Sequence, residues 1–255
     1  MSCRILEFRK THVFPNGSKP RIVIHKRRGF YVFKSPEHAR IGRIIEQRRA
    51  DKESDRLLLS VQGMTEEGGR IVMQTLTVLE SQALGVYETT QEGRVEDRFE
   101  ELGIRLLTLS TLVVTADNKV LFIRRPDGDY FPLLNSLVSG TSQLGLEDNV
   151  AMQVDDELGI YCRDVVISPH SIHSGSYRID GESFLPAAVT VFSSAKLPIT
   201  EAEVRTRYGS NGKGDMKVCA LDRTLSDMSR FFETHGGGTP FARFLQIYGT
   251  RVLLS

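Results

Sequence analysis

The clearest alternation of apolar and polar positions lies in the second half of the chain. Residues 106–115 form an almost unbroken apolar run, which predicts a buried strand. Asp117-Asn118 supplies a turn, and residues 120–123 return as a second strand that ends at Arg124-Arg125-Pro126. Residues 130–138 predict a short extended segment, followed by a Gly/Ser loop as far as Gly145. The spacing then changes to that of a helix over residues 147–158, with Val150, Val154 and Leu158 recurring every fourth position. Gly159 ends that helix in the left-handed conformation, and Ile160 packs behind it. Residues 163–178 and 183–194 predict a long hairpin around Asp180-Gly181. Thr200 caps a short helix over 201–208, a strand follows at 216–221, and helices over 225–235 and 240–248 close the chain.

The first hundred residues predict a mixed set of elements. Residues 21–25 and 30–33 read as short strands joined by a hairpin turn, Lys26-Arg27-Arg28-Gly29, with Gly29 supplying the unusual backbone. Ser35 and Pro36 open a helix with the stripe Ile41, Ile44 and Ile45. Residues 57–61 and 70–79 read as strands separated by Glu66-Glu67-Gly68-Gly69, and residues 87–102 as a linker or an exposed helix. The expected organisation is a basic α+β region over 1–100, of no assigned family, and a second domain over 101–255.

Composition changes this picture in one respect. Apolar residues make up 40% of the 255-residue chain and charged residues 25%, an ordinary globular balance that argues against disorder. No apolar run approaches the roughly 18 residues of a membrane span, and the amino terminus lacks the apolar core of a secretory signal. Cys3, Cys162 and Cys219 are odd in number and form no C-x-x-C pair, so the expectation is a soluble protein of a reducing, cytoplasmic compartment. Net charge is only +1, yet nearly all the charged residues among the first fifty are Arg or Lys, opposed only by Glu7, Glu37 and Glu46. A basic segment joined to an acidic remainder suits a phosphate-bearing ligand or a protein partner docking on the amino-terminal region; the plainer reading is a solvated surface.

Chemistry concentrates on the helix over 147–158. Gln153, Asp156 and Glu157 stand at i, i+3 and i+4, which brings their side chains onto one flank. Oxygen ligands at that spacing can hold a hard cation such as magnesium; the plainer reading is the exposed acidic face of an amphipathic helix.

Strand, turn, strand ending in Arg-Arg, Gly-containing loop, helix ending Asp-Glu-Leu-Gly-Ile, then a long hairpin: this order over residues 106–248 resembles the Nudix hydrolase family. That family's signature is G-x5-E-x7-R-E-U-x-E-E-x-G-U, with U apolar. Anchored on Gly159-Ile160, its final Glu pair falls on Asp156 and Glu157 and its apolar position on Val154. Its Arg-Glu pair falls on Met152-Gln153, its earlier Glu on Leu144 and its first Gly on Val138, with Gly140 two residues beyond. The end of the helix matches; the loop and the helix start depart.

The resemblance implies a Nudix-type α/β/α sandwich with a mixed sheet, preceded by the smaller α+β region. It implies Glu157 and Asp156 as the catalytic carboxylates, and Gln153, Asp156 and Glu157 as ligands of magnesium. It also places Arg124 and Arg125 at the border of a substrate cleft, where they would grip phosphate, with Tyr130 available to stack on a base. The substitutions argue that the site is weakened: Gln153 offers a neutral oxygen where a carboxylate is expected, and Asp156 is one methylene short. The expected function is therefore a module that binds a nucleoside-diphosphate-type ligand with weakened or absent pyrophosphohydrolase activity. The alternatives are an active magnesium-dependent hydrolase and a protein-interaction scaffold.

Other signals weigh less. His170 and His173 have ligand-like spacing only in a helix, and the pattern there is strand. Gly209-Ser-Asn-Gly212-Lys213-Gly214 lacks the spacing and hydroxyl of a phosphate loop, and His235-Gly-Gly-Gly238 has no nucleophile turn to serve. Lys26-Arg27-Arg28 with Phe30, Tyr31 and Phe33 mixes phosphate-binding and base-stacking types. Strand alternation would bury about half of those aromatics, which argues against nucleic acid as the partner.

Overall fold

A computed structural model describes residues 3–15, 20–34, 37–50, 55–91, 94–124, 130–132, 134–138, 145–161, 165–179, 182–210 and 217–235. The first half contains β1 (Arg4–Ile5), β2 (Thr11–Val13), β3 (Arg21–Phe30), α1 (Glu37–Ala50), β4 (Leu57–Glu67), β5 (Arg70–Leu79), α2 (Glu80–Thr89) and α3 (Val95–Leu102). The second contains β6 (Leu106–Val114), β7 (Lys119–Arg124), β8 (Tyr130–Pro132), β9 (Leu134–Leu137) and α4 (Leu146–Leu158). It ends with β10 (Val166–Ile179), β11 (Glu182–Lys196), α5 (Glu201–Ser210), β12 (Lys217–Asp222) and α6 (Leu225–His235).

The apolar run that opens the second half becomes the central strand β6, every residue of which is buried. One edge of β6 runs parallel to β11. The other is shared in turn by β4, β9 and β7. The long path through the sheet reads β2-β10-β11-β6-β4-β5-β3, with parallel β6–β11 and β3–β5 pairs among antiparallel ones. The sheet is thus mixed, and β3 is the last strand of that path.

Alternation splits the strands between two cores. Leu59 and Val61 of β4, with Leu107, Leu109 and Val113 of β6, face the larger one, where Val150, Val154 and Leu158 of α4 and Val204 and Tyr208 of α5 pack. Leu58 and Leu106, one residue out of phase, face the other side with Ile41 and Ile45 of α1, Ala83 and Val86 of α2, and Val95 and Phe99 of α3. Helices therefore cover both faces of a mixed sheet, which is the α/β/α sandwich expected.

The sheet also runs through the expected division at residue 100, which falls inside α3. Leu6, Ile22, Met64 and Met73 from before that point share one core with Leu107, Val154 and Val191 from after it.

Three local expectations need correction. The Lys26–Gly29 hairpin is absent: β3 continues from Arg21 to Phe30 as one strand. Lys26 pairs with Thr75 and Phe30 with Thr77, so Arg27, Arg28 and Gly29 together oppose Leu76 alone and form a wide bulge. Gly29, at φ 105°, supplies the backbone freedom that the bulge demands. Of the two readings of residues 87–102, linker or exposed helix, the helix forms as α3, but it is only partly exposed, because Val95 and Phe99 are buried on one stripe. Finally, β4 extends to Glu67, and Gly68 and Gly69, both at positive φ, make the turn into β5. The predicted helix over 240–248 lies outside the described residues. No helix among the described residues is long and apolar enough to cross a membrane.

Candidate functional site

The acidic helix is built as its pattern requires. The Gly145 N–H donates to Asp148 Oδ2 at 2.9 Å, and Asn149 Nδ2 donates to the Gly145 carbonyl at 2.9 Å, closing the first turn of α4. Gly159 takes φ 64° and returns its N–H to the Asp155 carbonyl at 2.7 Å. The last turn of α4 carries no cation of its own. Arg207 of α5 supplies one, donating from Nη1 to the carbonyls of Leu158 and Gly159 at 3.1 Å each, where the helix dipole is negative.

That contact decides what surrounds the candidate carboxylates. Asp156 is exposed, while Gln153 and Glu157 are half-buried. Glu157 lies toward α5: Tyr208 is held above the ordinary phenol range first by burial and then by the negative charge of Glu157. Gln153 Oε1 is buried and accepts no hydrogen bond among the described residues. Among the described residues no three His, Cys, Asp or Glu side chains converge as a metal-binding group.

Of the two cations expected beside these acids, Arg124 alone lies within the described residues. Leu121 and Ile123 of β7 face the larger core, on the side of α4. Phe122 faces the other way and stacks on Phe231 of α6 with ring centroids 5.1 Å apart. Alternation puts Arg124, two residues beyond Phe122, on that far face as well. Its charge is felt by the thiol of Cys219, the cross-strand partner of Phe122. Arg125 lies outside the described residues; Tyr130 opens β8 and pairs with Arg124 across the ladder, its side chain outside the description. Strand phase therefore sets Arg124 on the face of the sheet opposite α4.

A second constellation is better assembled. A cleft of about 790 Å³, open to solvent, lies at the bulge of β3. It is lined by Ile24, His25, Lys26, Arg27, Arg28, Gly29, Phe30, Gln74 and Thr77, a set holding three permanently charged cations and no acid. The guanidinium of Arg27 donates to Gln74 Oε1, a neutral partner that fixes its position without neutralising its charge. Phe30 is 56% exposed at the end of the run. Its neighbours Tyr31 and Phe33 turn inward and pack edge to face, with centroids 5.2 Å apart. Sequence reasoning named these residues and set them aside because about half of the aromatics would be buried, which Tyr31 and Phe33 bear out while Phe30 stays exposed. The signal that could have found them is Gly29 directly after three cations, which permits a bulge that turns the whole run outward.

The histidine pair is structural. His170 shares a 2.8 Å hydrogen bond with Ser194 Oγ, and His173 one of 2.7 Å with Thr11 Oγ1. Burial, with the Arg223 charge adding to it, holds His170 down at about 4, and burial lowers His173 as well. Cys3 and Cys219 are free thiols, and Cys162 lies outside the described residues.

No family model matches the chain, and no curated protein matches it. Solved structures do resemble it. DR0079 from Deinococcus radiodurans aligns over 56% of this chain and 82% of its own, with 12% identity and a TM-score of 0.36. The Ap4A hydrolase of C. elegans aligns over 58% of this chain and 98% of its own, with 12% identity and a TM-score of 0.37. A NUDIX-family hydrolase from Clostridium perfringens aligns over 59% and 99%, with 14% identity and a TM-score of 0.34. Likeness at this level assigns neither family nor activity, so a functional reading has to stand on the side chains of this chain.

Proposed function

We propose that this chain is a Nudix-like binding module that holds a phosphate-bearing, nucleotide-type ligand and hydrolyses it weakly or not at all. The observation that carries the reading is the lining of the β3 cleft: Lys26, Arg27 and Arg28, with no Asp or Glu among the lining residues, beside an exposed Phe30. Guanidinium groups pair bidentately with phosphate oxygens, and an aromatic face accepts a base, so one cleft offers both halves of a nucleotide a partner.

The donors on α4 support the non-hydrolytic half of the reading. Magnesium demands near-octahedral oxygen coordination and is usually held through carboxylates. Here Gln153 offers a neutral amide oxygen, Asp156 is exposed, and Glu157 lies toward Tyr208. That set does not fit a catalytic magnesium centre. Strand phase also turns Arg124 of β7 to the face of the sheet opposite this set.

Calorimetric titration with ADP, and with a nucleoside diphosphate esterified to a second group, tests the proposal. A charge-assisted hydrogen bond contributes about 1.5–3 kcal/mol, and each 1.4 kcal/mol is a factor of about ten. The Arg27→Gln/Arg28→Gln variant is therefore expected to bind at least ~10-fold more weakly than the parent. Equal affinity in the two proteins, or no heat of binding in either, rejects the cleft as the ligand site.

A further inference from the structure

We infer that the β3 cleft takes the backbone of a single-stranded nucleic acid, a ligand longer than one nucleotide. This rests on the reading of the cleft as a phosphate site and extends it to a polymer. The first reason is shape. A pocket built for a small ligand buries most of that ligand's surface, whereas this cleft is open and sits on the terminal strand of the sheet path, where a chain can enter and leave at both ends.

The second reason is the order of side chains. The bulge sets Lys26, Arg27 and Arg28 in succession along the edge, all exposed. Phe30 at 56% and Val32 at 75% exposure follow in the same direction. A track of cations leading to an exposed aromatic is the arrangement that binds phosphodiesters and stacks a base without reading sequence. The polar residues of the lining other than the cations are His25, Gln74 and Thr77. Gln74 is engaged with Arg27, and Thr77 lies in the β3–β5 ladder opposite Phe30. Such a lining favours sequence-tolerant binding. The third reason is room: a β-carbon added at Gly29 would meet no atom within 4 Å, so a ligand can approach the bulge backbone.

The test is fluorescence anisotropy of labelled single-stranded RNA and DNA oligomers, 4 to 16 nucleotides long, with the full chain. Affinity is expected to rise with length and to exceed that for ADP. The logarithm of the binding constant should fall with the logarithm of salt concentration by about 0.7 per phosphate engaged. Arg28→Gln should lower that slope by about one such step. Gln74→Glu sets a carboxylate beside Arg27 with little change of volume, and should weaken binding several-fold. Phe30→Leu should weaken binding about fivefold or more with the slope unchanged, because stacking carries no ion release. If ADP binds in the cleft and oligomers bind no better, the polymer inference fails and the nucleotide reading stands. If neither binds, both fail. Equal capture by anionic phosphatidylserine vesicles, insensitive to Phe30→Leu, identifies a general polyanion surface and overturns the inference.

Discussion

At the residue scale, spacing located the acidic flank but not its surroundings. Gln153, Asp156 and Glu157 lie on one helix, as the i, i+3, i+4 pattern requires. Helical spacing carries no information about the element that packs beside them, and here α5 brings Tyr208 and Arg207. The side of the sheet that Arg124 takes follows from strand phase, fixed only once Ile123 is known to face the larger core. The same scale gives a pH prediction. The His170 imidazole titrates at about 4 in the folded chain and near the ordinary 6.5 when unfolded. The unfolded state therefore binds more protons between these values, and stability is lost as pH falls from about 6.5 toward about 4. The contribution is at most about 3.4 kcal/mol, with His173 adding loss of the same sign. Melting temperature measured across that window should drop for the parent and drop less for His170→Gln. An equally steep drop in the variant would mean that His170 is not the group responsible.

At the element scale, the strands and helices of the second half were legible because their periods are clean. Leu225–His235 forms where the pattern ends and begins, and Leu106–Val114 differs from its expected span by one residue. Two elements of the first half were misread for opposite reasons. Gly29 after three cations has the chemistry of a hairpin turn, but the parallel pairing of β3 with β5 keeps the strand going and makes the same residues a bulge. In α3, five charged residues mask the stripe of Val95 and Phe99. Packing between α1 and α2 offers a sharper test of the structure. A β-carbon at Gly85 would lie 2.5 Å from Cγ2 of Ile41, which is buried on the facing helix. Gly85→Ala should therefore destabilise by about 1–3 kcal/mol from overpacking, against a helix-propensity gain of no more than about 1 kcal/mol. Combining it with Ile41→Ala should cost less than the two single changes added together. Chemical denaturation of the four proteins measures this, and a Gly85→Ala chain more stable than its parent would show that the two helices do not meet there.

At the scale of the whole molecule, the architecture was readable as alternating strands and amphipathic helices, while its continuity was not. The polar stretch over residues 87–102 suggested a break near residue 100, while β3, β4 and β5 contribute Ile22, Met64 and Met73 to the core that α4 closes. A polar stretch reports on surface positions, whereas joining is decided by buried positions such as these. One consequence is that the basic cleft and the acidic helix belong to a continuous framework. Gly145, at the start of α4, comes within van der Waals reach of the Ile22 backbone on β3, for a β-carbon placed there would stand 3.8 Å from its carbonyl oxygen. Phosphate binding on β3 and the incomplete donor set on α4 together make the central claim, a module that binds and cleaves weakly or not at all. The most direct test is formation of nucleoside monophosphate from nucleoside diphosphate derivatives in excess magnesium, measured for the parent chain and for Glu157→Gln. Product at or barely above the level of a protein-free blank from both proteins is the predicted result. Sustained magnesium-dependent turnover by the parent, abolished in Glu157→Gln, would contradict it.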